Sequence, residues 1–363
     1  MKTESTPQNT IPIHITKSKT LKEKPSEDNL GFGKHFTDHM FLAKYHNDKG
    51  WYSAEITPVK NLELHPAASV LHYGQALFEG MKAFRQKDGS VSLFRTQFNW
   101  ERMCIGAERL CLQAPPLELF QDAIKALVKI DQDWVPQTRG CSLYIRPTLI
   151  GVEPFLGVRP SQEYLFFVLL SPAGNYFGDK VSPVKIWVED EFLRAAPGGL
   201  GHTKAAANYA GSLKAAQKAK QNGFSQVLWL DVTRKFVEEV GTMNVFFVID
   251  DRVITPELDG TILGGGVRDA AIQLLKHKGY KVSEQKVSIE ELRHAQQTGR
   301  LKEAFGTGTA AIISPIGELR AREWDIAFTQ DFENSLASEL YNDLIEIQSG
   351  QSDDIFSWME PLK

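Results

Sequence analysis

Across residues 41–57, apolar and polar positions alternate on both sides of Asn47-Asp48-Lys49-Gly50, a turn tetrad that ends in glycine, so two strands folded into a hairpin are predicted. A second hairpin is predicted from 82–85 and 91–95, joined across Asp88-Gly89. The repeat then lengthens to helical spacing through Phe98, Met103, Ile105 and Leu110, and again over 117–128. Strand patterns return at 143–150 and 164–170.

Both periodicities break at Ser171-Pro172-Ala173-Gly174-Asn175-Tyr176-Phe177-Gly178, between two apolar strands. The break predicts a flexible arm over 1–28, a small N-terminal domain over 29–171, a linker over 172–183 and a larger C-terminal domain over 184–363. In the second half, a strand at 184–188 leads to the loop Pro197-Gly198-Gly199-Leu200-Gly201. An alanine-rich helix over 205–221 follows, stopped by Gly223. Further strands are predicted at 227–230 and 245–249, the first turning at Thr233-Arg234 and the second at Asp250-Asp251. Helices after Gly266, over 289–295 and over 332–347, with a strand near Tyr280, complete an α+β plan in which antiparallel pairing dominates.

A chain of 363 residues suits two domains sharing a cleft, a common place for a small ligand. The formal charge of −4 and the scattered lysines and arginines give no basic field, which excludes nucleic acid as the expected partner. Cys104, Cys111 and Cys141 are odd in number and form no C-x-x-C pair, so neither a disulfide framework nor a metal site is expected. There is no long apolar run for a membrane span, and residues 1–28 carry lysines, acids and prolines in place of an apolar leader. The expectation is a cytoplasmic protein.

Five places could carry chemistry. Lys204 ends the glycine loop Gly199-Leu200-Gly201-His202-Thr203, where backbone can crowd a ligand, although an isolated lysine is usually a solvated one. In Val237-Glu238-Glu239-Val240 an acid enters an apolar strand, so Glu238 or Glu239 needs a partner. Leu263-Gly264-Gly265-Gly266-Val267 opens a helix, whose free N–H groups and dipole favour an anion. Phe305-Gly306-Thr307-Gly308-Thr309-Ala310 is a second such turn with two hydroxyls. Arg102, among Phe98 and Met103, has a fork that suits phosphate but could equally snorkel.

Taken together, Phe32-Gly33-Lys34-His35-Phe36-Thr37-Asp38-His39-Met40, Leu77-Phe78-Glu79-Gly80-Met81-Lys82-Ala83-Phe84, Leu143-Tyr144-Ile145-Arg146-Pro147, Glu239-Val240-Gly241-Thr242-Met243-Asn244 and Phe305-Gly306-Thr307-Gly308-Thr309 resemble the branched-chain aminotransferases, fold-type-IV pyridoxal-phosphate enzymes. The resemblance runs from about Gly33 to the C-terminus. It implies a two-domain α+β fold, with a smaller N-terminal α/β sandwich and a larger C-terminal pseudo-barrel domain. It also implies pyridoxal 5'-phosphate as cofactor and a homodimer whose second subunit completes the pocket.

On this resemblance Lys204 is the lysine that condenses with the cofactor aldehyde and later shuttles a proton. Glu239, not Glu238, pairs with the ring nitrogen, and Tyr209 bonds the ring 3'-oxygen. Leu263 packs on the ring, while Arg102, the backbone of Gly266 and Val267, and the hydroxyls of Thr242 and Thr309 hold the phosphate. Tyr73, Phe78, Tyr144 and Tyr176 resemble the walls around a branched side chain. Thr309-Ala310 would meet the α-carboxylate, and Arg146 the distal carboxylate of glutamate. The implied reaction is ping-pong transamination of L-leucine, L-isoleucine and L-valine with 2-oxoglutarate, as in branched-chain amino acid biosynthesis. The alternatives within the fold are a D-amino-acid aminotransferase or related lyase, or a catalytically silent binding protein. Two departures stand out: Ala311 and Ser314 occupy the places of a redox C-x-x-C found in animal relatives, and Gly264 and Gly266 replace a proline and a larger apolar residue in the phosphate turn.

Overall fold

The computed structural model describes residues 11–175, 182–328 and 331–362. Its first half is built on a sheet in which His14–Ile15, Gly50–Pro58, His39–His46, Glu163–Ala173, Ser142–Gly151, Met81–Arg85, Val91–Phe94 and Met359–Pro361 lie in that spatial order. Both expected hairpins form, with Phe41 opposite Ile56 in one and Ala83 opposite Leu93 in the other. Helix Leu117–Ile130 buries Phe120, Ile124, Leu127 and Val128, one stripe at helical spacing, against Phe41, Phe166 and Leu149 of the sheet.

Strand Ser142–Gly151 is interior yet contains Pro147. Its neighbour on one side is interrupted there: Ala76–Phe78 pairs above the proline and Met81–Arg85 below it. The missing N–H of Pro147 falls at that gap, where its carbonyl accepts from Glu79 N at 2.8 Å. The interruption leaves the Gly80 carbonyl outside the ladder, where it accepts from Thr309 Oγ1 of the second half of the chain.

The second sheet runs Val237–Val240, Gln226–Leu230, Val184–Val188, Ile312–Arg320, Leu301–Gly308, Asn244–Ile249, Arg252–Thr255 and Lys281–Glu284. It is more mixed than the expected antiparallel plan, because helix Ala206–Gln221 carries the chain from Val184–Val188 back to the starting end before Gln226–Leu230 begins. Those neighbours must therefore be parallel. Val184–Val188 is parallel to Ile312–Arg320 as well.

Four expectations are corrected. The arm expected to be flexible is fixed from Ile11 onward: His14–Ile15 pairs with Gly50–Pro58, Ser18 N donates to His39 Nε2 at 2.8 Å, and Lys22 N donates to Asp38 Oδ1 at 2.8 Å. These partners are remote in sequence, so a polar composition hid the attachment; residues 1–10 lie outside the described residues. Pro172 and Ala173, assigned to the linker, continue the strand opposite Leu143 and Ser142. Met359–Pro361 returns from the C-terminal half to pair with Val91–Phe94. The last helix spans Leu336–Gln348, because the Ser335 side chain caps it by accepting from Ser338 N and leaves Phe332–Asn334 as a separate 3-10 turn.

Candidate active site

Glu79 is wholly buried and grips Arg102 of helix Thr96–Arg109 with both oxygens, at 2.8 Å from Nε and 2.6 Å from Nη2. Asn99 Nδ2 donates to the same carboxylate at 2.8 Å, and Arg102 Nη1 donates to Gly264 O at 2.9 Å, reaching the C-terminal half. The flanking Gly80 cannot carry a side chain, since a Cβ there would lie 2.2 Å from the Tyr144 hydroxyl oxygen.

Lys204 is half-buried where the glycine loop meets this corner. Its carbonyl accepts from Phe78 N at 3.2 Å, and its Nζ donates to Tyr209 Oη at 3.0 Å and lies 5.0 Å from the Phe78 ring centre. Burial, with the positive charge of Arg102 and Arg146 nearby, lowers its pKa to about 8. Tyr209, one turn further along, is pushed up to about 12, first by burial and then by the Glu239 charge, so its hydroxyl keeps its proton.

Glu239 is buried in Val237–Val240. One oxygen accepts from Leu263 N at 2.7 Å and the other meets Arg194 Nε at 3.0 Å. Burial raises its pKa, with Arg194 opposing. Arg194 also donates to Thr261 O and Gly201 O, tying the lysine loop to this carboxylate. Glu238, its neighbour, is pushed up to about 7 by burial.

Gly266 and Val267 begin helix Gly266–His277, and Thr309 lies in the turn between Leu301–Gly308 and Ile312–Arg320; these and Arg102 line one cavity. Thr242 instead opens on a cavity shared with Glu239, Tyr209 and Arg194, so the expected phosphate group is divided. The expectation for Arg102 also changes, because the edge that would grip phosphate as a fork already holds Glu79. Three of its five N–H groups are used, and two remain. In the second turn, Thr309 Oγ1 donates to Gly80 O at 3.3 Å, Ala310 O accepts from Lys82 Nζ at 3.1 Å, and Ile312 adopts a φ of 62°. A β-branched residue in that region costs about 1–3 kcal/mol, so the turn is held from outside.

Phe78, Tyr144 and Arg146 come together as expected. The Arg146 guanidinium lies 4.6 Å from the Phe78 ring centre and donates to Tyr144 Oη at 2.9 Å from Nη2. Tyr73 stands apart, 43% exposed, with its hydroxyl donating to Leu156 O. Tyr176 lies outside the described residues.

The family model for amino-transferase class IV matches residues 76–319. The chain is 48% identical over 350 residues to branched-chain-amino-acid aminotransferase 2 of Bacillus subtilis, covering 96% of both chains. The chain belongs to the branched-chain aminotransferases of class IV. It is also 47% identical to branched-chain-amino-acid transaminase 1 of the same organism, over 95% of this chain and 98% of that one. Among solved structures, the Escherichia coli branched-chain amino acid aminotransferase superposes with a TM-score of 0.74 at 23% identity, over 90% of this chain and 99% of that one, which shows the shared fold-type-IV architecture.

For a branched-chain aminotransferase sequence, three residues of this site were missed. Glu79 was quoted only as part of a motif, yet the argument applied to Glu239, an acid among apolar residues, applies equally to it. Lys82 in Met81-Lys82-Ala83-Phe84 carried the same signal. Arg194 carried none, because nothing in its loop sequence reveals that its partner is Glu239.

Proposed function

We propose that the enzyme transaminates L-leucine, L-isoleucine and L-valine with 2-oxoglutarate, giving the branched 2-oxo acids and L-glutamate in a ping-pong cycle. The cofactor is pyridoxal 5'-phosphate, which when bound supplies an aldehyde that condenses with an amine and a ring that accepts electron density from the substrate α-carbon. The donor set fits it. The first N–H groups of helix Gly266–His277 have no intrahelical partner, Arg102 keeps two spare N–H groups, and Glu239 offers a buried carboxylate to a ring nitrogen.

The observation that carries the reading is Lys204, a half-buried amine on Tyr209 Oη with a pKa near 8. At pH 7 roughly a tenth of it is neutral, against about three ten-thousandths for an ordinary lysine. That neutral fraction can attack an aldehyde and afterwards carry a proton between the substrate α-carbon and the cofactor C4'. Tyr209 keeps its hydroxyl protonated as a donor toward the ring oxygen. Leu263 would pack on the ring, Thr309, Gly266 and Val267 would share the phosphate, and Thr242 would stand on the Glu239 side of the ring. Phe78 and Tyr144 would wall the branched side chain, with Tyr176 beside them, and the Thr309-Ala310 turn would take the α-carboxylate. Arg146, stacked on Phe78 without an ion pair among the described residues, would take the second carboxylate of glutamate.

A homodimer is part of the proposal. Leu71, Leu156 and Val158 are 59%, 63% and 86% exposed around the half-exposed Tyr73, an apolar surface that a second copy would cover. In the dimer Tyr73 would serve the partner's pocket; sedimentation as monomer at micromolar concentration would refute this. No helix among the described residues is long and apolar enough to cross a membrane; a cytoplasmic location is part of the proposal. The deciding experiment is spectroscopic: purified enzyme should show a visible cofactor band that shifts with L-leucine and returns with 2-oxoglutarate. Lys204→Ala should lose both responses while remaining folded. Turnover of D-alanine in place of L-leucine would overturn the substrate assignment.

A further inference from the structure

Lys82 is buried, and the mechanism above gives it no task. In the sheet register it lies directly opposite Tyr144, so both side chains stand on the face that carries the substrate wall. Its Nζ reaches across to the C-terminal half and donates to Ala310 O at 3.1 Å. Ala310 belongs to the short turn joining Leu301–Gly308 to Ile312–Arg320, and that turn closes on Ile312 with a φ of 62°. A branched residue stays in this conformation only where its surroundings impose it. The turn has two such restraints, the Lys82 bond to Ala310 O and the Thr309 Oγ1 bond to Gly80 O.

In a trans peptide the carbonyl and the following N–H point in opposite directions. A lysine that draws the Ala310 carbonyl to one side therefore turns the Ala311 N–H to the other. We infer that Lys82 is a positioning residue for carboxylate recognition: by clamping the Ala310 carbonyl it aims the amides of the 309–311 turn at the carboxylate of the bound substrate. The inference rests on the proposed function, in which that turn receives the α-carboxylate. Both substrate classes carry this group, so the clamp acts equally in the two half-reactions and not on the choice between them.

The test is Lys82→Met, which keeps the length and apolar stem of the side chain and removes the donor, with Lys82→Gln as a variant that retains a donor. Three quantities are read on cofactor-loaded protein: the Kd of 4-methylvaleric acid, a branched carboxylate with no amino group; the KM and kcat for L-leucine and its 2-oxo acid; and the cofactor absorbance. Lys82→Met should raise the Kd and both KM values about tenfold, the scale of one charge-assisted hydrogen bond. It should leave kcat and absorbance unchanged, and Lys82→Gln should recover part of the affinity. Equal Kd for folded wild type and Lys82→Met would overturn the clamp alone. So would a fall in kcat at constant KM, which would place Lys82 in the chemistry. Should Lys82→Met fail to fold, Lys82→Gln that stays folded with wild-type Kd and KM but a lowered Tm would make the lysine a structural residue only and overturn the clamp. Wild-type enzyme that bound no branched carboxylate would overturn the proposed function itself.

Discussion

Replacing Glu79 with glutamine tests the least expected feature of the site. The carboxylate is wholly buried, and its two oxygens receive Arg102 Nε and Nη2 as well as Asn99 Nδ2. Glutamine has nearly the same shape, but it presents an amide donor toward one of the arginine donors and leaves the guanidinium charge uncompensated. Removing one member of a buried ion pair costs about 3–5 kcal/mol; with one carbonyl contact retained, the lower end is expected. Unfolding entropy of roughly 2.1 cal/mol/K per residue, over 363 residues, amounts to about 0.8 kcal/mol/K, so about 3 kcal/mol lowers Tm by roughly 4 °C. The measurement is differential scanning calorimetry of apoenzyme in phosphate-free buffer. Because Arg102 would then lack its counter-charge, added inorganic phosphate should raise the Tm of Glu79→Gln more than that of wild type. A Tm within one degree of wild type, or an equal response to phosphate, would refute the assignment of Glu79 as the charge that balances Arg102.

Two further outcomes are expected. Lys204 has a folded pKa of about 8, below its ordinary 10.5, so between those values the unfolded chain binds more protons and stability rises with pH. Below pH 8 the folded apoenzyme carries the whole penalty, about 2 kcal/mol once solvent access to this half-buried group is allowed for. Lys204→Met apoenzyme should therefore be more stable than wild type by about that amount at pH 7 in urea denaturation, with the gap closing toward pH 10.5; a less stable variant at pH 7 contradicts the shift. Glu239→Gln should cut kcat by about a hundredfold or more while changing cofactor affinity far less, since on the proposed reading it removes the charge that would hold the ring nitrogen protonated. Unchanged kcat would dismiss the ring-nitrogen role of Glu239.

The elements legible in the sequence were those with strong local signals. The hairpins at Asp88-Gly89 and Asn47–Gly50 form because turn chemistry and alternation agree, and helix Ala206–Gln221 because alanine propensity runs unbroken to Gly223. What stayed hidden was set by distant partners. The N-terminal segment reads as solvated, yet it is pinned by His39 and Asp38. The chain end gives no sign that it will return to Val91–Phe94. Within the site, Lys204, Tyr209, Glu239 and Leu263 converge, whereas the phosphate role of Arg102 came from the family resemblance, which did not disclose its second partner. Only the fold reveals that Glu79 reaches the fork first.

The charges in the cleft explain why one pocket can serve two half-reactions. Glu79 and Glu239 are each committed to an arginine, Arg102 and Arg194. Lys204, Lys82 and Arg146 remain, buried or half-buried, without an ion pair among the described residues. Uncompensated positive charge in a poorly solvated cleft is costly, and both lysines respond by releasing protons near pH 8. The cost falls when anions enter. A cofactor phosphate would supply one, and amino acid and 2-oxo acid alike would supply a carboxylate, so exchanging one substrate for the other would leave the charge brought to the 309–311 turn unchanged. In the proposed reaction glutamate and 2-oxoglutarate would bring a second carboxylate, for which Arg146 is the available cation, while a branched aliphatic chain would meet the Phe78 and Tyr144 rings that flank the same guanidinium. Under the proposed function, selection between the two substrate types would depend on whether Arg146 is reached by a charge or covered by methyl groups, a role that suits an arginine stacked on aromatic rings and not paired with an acid among the described residues.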